Sequence, residues 1–222
     1  MNSPLPTCIL FDLDGTILDS LPGIAFSVQV ACRMVGLPEP KINLRSLLGP
    51  PIRTILSQAV TEDPALLDQL ERAFRASYDT EGWRKTSCFH GAQATLGIMK
   101  ESGHRLFVVS NKPRHISLQI LEREGLSPLF ERIYTRDSRA LARTKQEMLY
   151  EFLSEYGVSS PDCLMVGDTL EDAIAAAAAG IGFVYMTHGY GELAQTPSIP
   201  IAHTLDNFPQ FMQLITQEPL RD

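Results

Sequence analysis

Two aspartates separated by a single residue follow the first apolar run of the chain. The segment 12–16, Asp-Leu-Asp-Gly-Thr, comes directly after residues 7–11, whose unbroken apolar character is typical of a strand covered on both faces. Residues two apart on an extended segment point to the same side, so Asp12 and Asp14 can face one pocket, and Gly15 permits a tight turn after them. Both carboxylates can then serve the same site.

Polar residues follow two further apolar runs. Ser110 and Asn111 follow the second run, and Asp168 follows the third. Asp172 lies one helical turn beyond Asp168 and therefore on the same side, while Lys145 opens a helical pattern. Each of these could by itself be an ordinary turn or a helix cap. An EF-hand calcium loop does not fit the aspartates, because it needs Gly at its sixth position and a bidentate Glu at its twelfth.

The elements that must position these residues alternate between strands and helices. Such alternation predicts an α/β fold with a mainly parallel sheet between two helical layers, a Rossmann-like three-layer core, and ligands in such sheets bind at the carboxyl ends of the strands. The predicted strands are 7–11, 105–109, 163–166 and 182–186, and the predicted helices are 92–101, 116–124, 145–156 and 171–179.

The alternation is interrupted by a helical insertion after the first strand. Residues 24–35, 52–59 and 64–78 have helical patterns joined by Pro/Gly turns, with no convincing strand between them. We therefore expect a core domain at 1–19 and 87–222 and a helical cap domain at 20–86. The segment from 192 to 222 contains three prolines and ends polar, so we expect a loosely packed tail with one short terminal helix.

Composition excludes some classes of protein. The chain has 222 residues, with 19 Lys+Arg against 26 Asp+Glu, and its net charge of −7 argues against nucleic acid as a partner. A small phosphorylated metabolite remains possible, because a binding site depends on the local field. Four scattered cysteines, no membrane-length apolar run and no signal-like N-terminus indicate a cytoplasmic protein without a membrane partner. We expect a monomer or homodimer.

Taken together, segment 12–16, Ser110 with Asn111, Lys145, and Asp168 with Asp172 resemble in order and spacing the four motifs of the haloacid dehalogenase-like phosphohydrolases. The resemblance covers roughly residues 7–190. The insertion resembles the C1-type cap of that superfamily. Ser-Asn-Lys-Pro at 110–113 and Leu-Gly-Pro at 48–50 are similar to the phosphoglycolate phosphatase branch.

The resemblance implies roles for the acidic residues. Asp12 would be the nucleophile that forms an aspartyl-phosphate, and Asp14 would be the general acid and then the base. A dehalogenase lacks this second group, so a phosphatase is favoured. Mg²⁺ would be held by Asp12, Asp168 and the backbone carbonyl of Asp14, with Asp172 binding the metal or orienting its waters.

The resemblance also implies a phosphate site. The Ser110 hydroxyl and the Asn111 backbone N–H would hold phosphate oxygens, and Lys145 would offset the transferring charge. Gln146 stands where a proline commonly follows this lysine, so Arg143 remains an alternative cation. Lys112 is a weaker competitor, because it lies directly beside Ser110 and Asn111.

The predicted function is a Mg²⁺-dependent phosphatase for a small phosphomonoester, with 2-phosphoglycolate as the substrate that the branch implies. Arg53 and the turn at Gly49 are the cap candidates for meeting a substrate carboxylate. Alternatives are a sugar-phosphate mutase of the β-phosphoglucomutase type, hydrolysis of pyrophosphate or of a nucleoside monophosphate, and a regulator that binds phosphate without turnover. Requirement for a bisphosphate activator would favour the mutase.

Overall fold

The structure is a computed structural model that describes residues 6–139, 141–193 and 199–215. Its strands are β1 (Cys8–Phe11), β2 (Leu18–Asp19), β3 (Ser87–Cys88), β4 (Arg105–Ser110), β5 (Arg132–Thr135), β6 (Cys163–Gly167), β7 (Gly182–Met186) and β8 (His203–Leu205). Six of them form one sheet in the order β5-β4-β1-β6-β7-β8, and every neighbouring pair is parallel. The first strand therefore lies between β4 and β6, in the middle of the sheet.

Helices cover both faces of this sheet. They are α1 (Leu21–Val35), α2 (Ile52–Ala59), α3 (Pro64–Tyr78), α4 (Ala92–Glu101), α5 (Arg114–Arg123), α6 (Lys145–Tyr156), α7 (Leu170–Ala178) and α8 (Phe211–Ile215). Alternate residues of β1 enter opposite cores: Ile9 and Phe11 pack with α4 and α5, and Cys8 and Leu10 pack with α6 and α7. The predicted three-layer α/β core is confirmed.

The inserted helices α1, α2 and α3 lie between β2 and β3, which pair antiparallel through Leu18↔Cys88 and Asp19↔Ser87. We call these helices, with the 3₁₀ turns Leu44–Leu47 and Gly82–Lys85, the cap. The cap has an apolar interior of its own, to which Val28 of α1 and Leu70 of α3 contribute fully buried side chains. The domain boundaries at 20 and 86 stay a prediction, with the β2–β3 pair at that position.

The prediction of a loosely packed tail is wrong. Residues 203–205 form β8, which pairs with β7, and the side chains of Phe208 and Phe211 are fully buried. Both rings lie 6.4 Å from the ring of Phe11 in β1, centroid to centroid, so they complete the core beneath the central strand. The expected short terminal helix is α8, and the parts of the predicted tail at 194–198 and 216–222 lie outside the described residues.

Other differences from the sequence prediction concern a short strand and the start of a helix. The strand β5 was missed, because its four residues lie at the edge of the sheet, where Arg132 is exposed and no long apolar run is needed. Helix α5 begins at Arg114, two residues before the predicted 116, because Pro113 is its N-cap residue and the first turn is polar. Within the described residues no helix has the length and apolarity to cross a bilayer.

Candidate active site

The polar residues singled out by the sequence meet at one edge of the sheet. Asp12 directly follows β1, Ser110 is the last residue of β4, and Asp168 directly follows β6. Because these three strands are adjacent and parallel, their carboxyl ends open on the same crevice. The fold thus brings together residues that lie more than 150 positions apart in the chain, as the hydrogen bond from the Thr16 hydroxyl to Asp168 Oδ1 at 2.9 Å illustrates.

A tight turn after β1 presents the two aspartates. The backbone N–H of Gly15 donates to the Leu18 carbonyl at 2.8 Å, and that of Leu18 donates to the Leu13 carbonyl at 2.8 Å. Gly15 has a φ of 86°, and a Cβ at this position would lie 2.2 Å from Asp168 Oδ2. A side chain here is therefore excluded both by the backbone conformation and by the approach of the acidic group.

Four charged side chains form a buried cluster, which we call the floor of the site: Asp12, Lys145, Asp168 and Asp172. At most 3% of any of these residues is exposed. Carboxylate oxygens of the three aspartates lie within 4.8 Å of one another. The Lys145 ammonium lies 3.0 Å from Asp12 Oδ2 and 2.5 Å from Asp172 Oδ1. The structure therefore places Lys145 beside the predicted nucleophile.

Arg143, the alternative cation, lies elsewhere. Its guanidinium donates to the Thr135 carbonyl at 3.3 Å and pairs with Glu151, beyond the end of β5. The difference between Arg143 and Lys145 arises from a capping box at the start of α6. The Thr144 hydroxyl accepts from the Glu147 backbone N–H at 3.2 Å, and Glu147 Oε2 accepts from the Thr144 N–H at 2.7 Å. This fixes Lys145 as the first helical residue, without the proline common at the next position.

A second capping box holds Asp172. Thr169 is the N-cap residue of α7. Asp172 Oδ2 accepts hydrogen bonds from the Thr169 backbone N–H at 3.0 Å and from the Thr169 hydroxyl at 2.6 Å. The other oxygen of Asp172 accepts from Lys145. Asp172 therefore has the expected capping role and a contact with Lys145. Its predicted role toward the metal stays a prediction, and its carboxylate belongs to the acidic group that it forms with Asp12 and Asp168.

The floor carries more negative than positive charge. Burial raises the pKa of Asp12 to about 8, with further increases from the neighbouring carboxylates of Asp172, Asp168 and Asp14 and an opposing effect of Lys145. Burial and Asp172 also raise the pKa of Asp168 to about 6, although the Tyr190 N–H and the Thr16 hydroxyl oppose this. Ionising Asp12 and Asp168 together is therefore unfavourable unless another positive charge is present.

The donor set fits a hard cation. Asp12 Oδ1 is buried and has no hydrogen-bond partner among the described residues. Asp168 is held in place by Thr16 and by the backbone N–H of Tyr190, which donates to Asp168 Oδ2 at 2.7 Å. An unsatisfied buried carboxylate oxygen costs free energy, so this oxygen needs a cation or a ligand proton donor nearby. Carboxylate oxygens are what Mg²⁺ prefers.

Asp14 has different surroundings. Its side chain is 24% exposed and faces Lys112, whose ammonium lies 2.9 Å from Oδ1 and 3.1 Å from Oδ2. Lys112 also donates to the hydroxyl of Tyr78 at 2.7 Å, at the end of α3 in the cap. The sequence analysis ranked Lys112 below Lys145, and the structure gives each lysine one of the two aspartates. Tyr78 carried no signal in the sequence beyond its place in an amphipathic helix.

Asn111 and Gly49 meet where the cap touches the core. The Asn111 amide donates to Glu171 at 3.0 and 3.1 Å and to the Gly49 carbonyl at 3.3 Å. A Cβ on Gly49, whose φ is 127°, would lie 3.0 Å from Thr169 Cγ2. A second contact comes from Arg45, which donates to the carbonyls of His188, at 2.9 Å, and Gly189. The cap therefore lies against the strand ends.

A cavity of about 360 Å³ remains between cap and core. On the core side it is lined by Asp12, Asp14, Ser110, Asn111 and Lys112. The cap side is mainly apolar but contains two charged residues, Arg75 and Asp79; its other lining residues include Leu48, Gly49, Pro50, Pro51, Ile52, Ile55, Phe74 and Tyr78. Arg53 does not line this cavity, because its guanidinium pairs with Asp68 at 2.7 Å and Glu71 at 3.1 Å.

The family of the chain follows from comparison with known proteins. The family model described as haloacid dehalogenase-like hydrolase matches residues 9–186, the span that contains every residue of the floor. The chain belongs to this family. Resemblance to haloacid dehalogenase-like hydrolases, expected from the motifs, is thereby confirmed.

Relatives within the family cover most of the chain. A phosphoglycolate phosphatase of Aliivibrio fischeri is 30% identical over 82% of this chain and 84% of its own. A 5'-nucleotidase of Pseudomonas aeruginosa is 29% identical over 82% of this chain and 83% of its own. A haloacid dehalogenase-like hydrolase of Streptococcus pneumoniae has the same fold, with a TM-score of 0.85, 22% identity and coverage of 94% and 97%. The named phosphatases support the predicted class of phosphoric monoester hydrolase.

Proposed function

We propose that the protein is a Mg²⁺-dependent phosphatase that hydrolyses a small phosphomonoester through an aspartyl-phosphate on Asp12. The observation that carries this proposal is the pair of aspartates on one cavity, each facing its own buried lysine, with Asp12 Oδ1 unpartnered among the described residues. A carboxylate nucleophile and a second carboxylate for proton transfer are what the reaction requires.

The residues that would hold Mg²⁺ are Asp12 and Asp168, together with the backbone carbonyl of Asp14, while Asp172 keeps the floor in place from α7. The bound ion would neutralise charge between the substrate phosphate and the nucleophile. The raised pKa of Asp12 supports this requirement, because a further positive charge favours the ionised, nucleophilic form.

In the first step, Asp12 attacks phosphorus, the ester P–O bond breaks, and Asp14 gives its proton to the departing alcohol oxygen. In the second step, Asp14 takes a proton from water, whose oxygen attacks phosphorus while the bond to Asp12 breaks. Inorganic phosphate leaves and both aspartates return to their initial states. Lys145 stays beside Asp12 throughout and offsets the charge of the transferring group.

Ser110 and Asn111 would hold the phosphate. The Ser110 hydroxyl is buried at the end of β4 and lines the cavity together with Asn111. A hydroxyl and a backbone N–H at a strand end can both donate to phosphate oxygens. The cap excludes bulk water from this part of the site, which protects an acyl phosphate from other nucleophiles.

Two substrates are favoured by different observations. We propose 2-phosphoglycolate first, since it is supported by the motifs at 48–50 and 110–113 and by the relatives named phosphoglycolate phosphatase. A nucleoside monophosphate is the second candidate. The apolar part of the cap wall suits a larger alcohol, Arg53 pairs away from the cavity, and a relative is named 5'-nucleotidase.

The test is phosphate release from 2-phosphoglycolate, nucleoside monophosphates, pyrophosphate and sugar phosphates, with Mg²⁺ and with chelator. We expect release that is lost in chelator and in Asp12→Asn. Absence of release, combined with activation of a sugar phosphate by its bisphosphate, would replace the phosphatase by a mutase. Binding of a phosphate analogue without any turnover would replace it by a regulator.

The four cysteines are free thiols, which suits the cytoplasm, the compartment that we propose for the enzyme.

A further inference from the structure

Lys112 is a second buried ammonium that the proposed chemistry does not use. Its side chain is 2% exposed, and its three contacts are the two oxygens of Asp14 and the hydroxyl of Tyr78, all within 3.1 Å. A buried ammonium is stabilised only by such partners, since removal from water is costly. The arrangement therefore couples Lys112 to both neighbours.

The two neighbours belong to different parts of the molecule. Asp14 lies in the turn after β1, and Lys112 follows the end of β4, where its backbone N–H donates to the Ser110 hydroxyl at 3.3 Å. Tyr78 is the last residue of α3 in the cap, where its ring stacks on Phe74 at 5.2 Å between centroids. Lys112 thus joins the proposed acid and base to the cap.

The contact with Asp14 involves both carboxylate oxygens. An ammonium that lies 2.9 Å from one oxygen and 3.1 Å from the other restricts rotation of the carboxylate. The ammonium is restricted in turn by the Tyr78 hydroxyl and by the face of the Tyr78 ring, whose centroid is 4.9 Å away. Withdrawal of the cap would remove Tyr78 and leave the ammonium and the carboxylate less restrained.

We propose that Lys112 is a positioning residue that fixes the Asp14 carboxylate when the cap lies against the core, and that Tyr78 transmits the position of the cap to it. This inference rests on the proposed phosphatase function. It means that proton delivery to the leaving group depends on cap closure. For esters whose leaving group needs no proton, the rate of hydrolysis should not depend on cap closure in this way.

The first test compares Lys112→Met with the wild type on an alkyl phosphomonoester and on p-nitrophenyl phosphate. We expect kcat on the alkyl ester to fall by about 10²-fold, within the range for loss of acid catalysis, and kcat on the aryl ester to fall by less than about 5-fold. KM for both should change little, because Lys112 acts through Asp14. Lys100→Met, a matched change on the exposed surface of α4, should leave both rates unchanged.

The second test removes only the hydroxyl of the cap residue. Tyr78→Phe keeps the stacked ring, so it should fold, and it should lower kcat on the alkyl ester more than on the aryl ester, by a smaller factor than Lys112→Met. The double variant should be no slower than Lys112→Met alone, since both changes break one chain of contacts. Lys112→Arg should recover part of the alkyl activity.

Several results would overturn the inference while leaving the phosphatase proposal standing. These are equal losses on aryl and alkyl esters in Lys112→Met, independent effects of the two changes in the double variant, or an unchanged leaving-group preference in Tyr78→Phe. If Lys112→Met does not fold, Tyr78→Phe decides by itself. Absence of phosphate release from any ester by the wild type would instead refute the proposed function.

Discussion

The two aspartates of segment 12–16 have contrasting surroundings, although only one residue separates them. Asp12 lies in the floor, where Lys145, Asp168 and Asp172 all come from the core and all are buried. Asp14 is partly exposed, and its lysine also contacts Tyr78 of the cap. One half of the site is therefore complete within the core, and the other half is completed by the cap.

The difference separates two tasks of the proposed reaction. Formation of the aspartyl-phosphate needs a nucleophile and charged groups that are held in fixed positions. The turn at Gly15 fixes Asp12, and the capping boxes at the starts of α6 and α7 fix Lys145 and Asp172. Protonation of the leaving group depends on which alcohol the substrate carries, and in the proposed complex that alcohol faces the cap. We therefore expect changes in the floor to abolish turnover and changes in the cap half to redistribute it among substrates.

Asp12→Asn gives the largest expected effect. The side chain keeps its volume but loses its nucleophilic oxygen pair, so kcat should fall on the order of 10⁴-fold or more, as with loss of other covalent nucleophiles. The midpoint of thermal unfolding in chelator at pH 8 should not fall, because the substitution removes one of three crowded carboxylates. Phosphate release and thermal unfolding measured on the same preparation check both statements. A collapsed fold would show that Asp12 is needed structurally.

Lys145→Met comes next. Loss of the ammonium leaves Asp12 and Asp172 facing each other without a counter-charge, and removes stabilisation of the transferring group. We expect kcat to fall by about 10²- to 10³-fold on alkyl and aryl esters alike. Comparison with Lys112→Met on the same two esters sharpens the contrast between the halves. If the activity of Lys145→Met depends on the leaving group as strongly as that of Lys112→Met, the contrast between the two halves is refuted.

The pH dependence of stability should also be confined to the floor. A carboxyl group with a raised pKa in the folded state stabilises the fold below its ordinary pKa, and this contribution is lost as pH rises through the raised value. As the pH rises above the ordinary value, this loss is complete at about pH 6 for Asp168 and at about pH 8 for Asp12, so the window between pH 6 and pH 8 reports Asp12. In chelator, the thermal midpoint should therefore fall by at least about 3 °C across this window, roughly 1 kcal/mol for a chain of this length.

Two comparisons test the source of that fall. Mg²⁺ should reduce it, because a bound cation stabilises the ionised carboxylates. Asp12→Asn should also reduce it, since the carboxyl group that titrates in this window is then absent. A fall of the same size with Mg²⁺, with chelator and in the variant would assign the pH dependence to groups outside the floor.

Arg53→Met has the smallest expected effect. Its guanidinium is half exposed and pairs with Asp68 and Glu71 on the cap, away from the cavity lining. We expect kcat/KM for 2-phosphoglycolate and for a nucleoside monophosphate to change by less than about 2-fold, as for other exposed ion pairs. A loss confined to 2-phosphoglycolate would instead support the sequence-based prediction that Arg53 meets a substrate carboxylate.

The sequence predicted the floor better than the cap half, for a physical reason. Asp12 and Asp168 follow buried strands, and the parallel sheet dictates that such positions converge. Capping patterns at Thr144 and Thr169 fix the helix starts that carry Lys145 and Asp172. These signals are local in the sequence, and the parallel sheet brings the residues that carry them together at one edge.

The cap half depends on packing between distant segments. Nothing adjacent to Lys112 in sequence shows that its ammonium meets Tyr78, which lies 34 residues earlier in the chain. The prediction for the tail failed for a similar reason. Prolines and polar residues surround Phe208 and Phe211, and only the open face of Phe11 in β1 explains why those two rings are buried.

Three of the hydrogen bonds that seat the cap on the core share one property: main-chain carbonyls accept them. Asn111 donates to the carbonyl of Gly49, and Arg45 donates to the carbonyls of His188 and Gly189. A main-chain acceptor survives most substitutions, so the lining of the cap can drift in evolution while its seating persists. The same property makes exchange of caps between relatives a practical route to new specificities, provided that Arg45, Gly49 and Asn111 are retained.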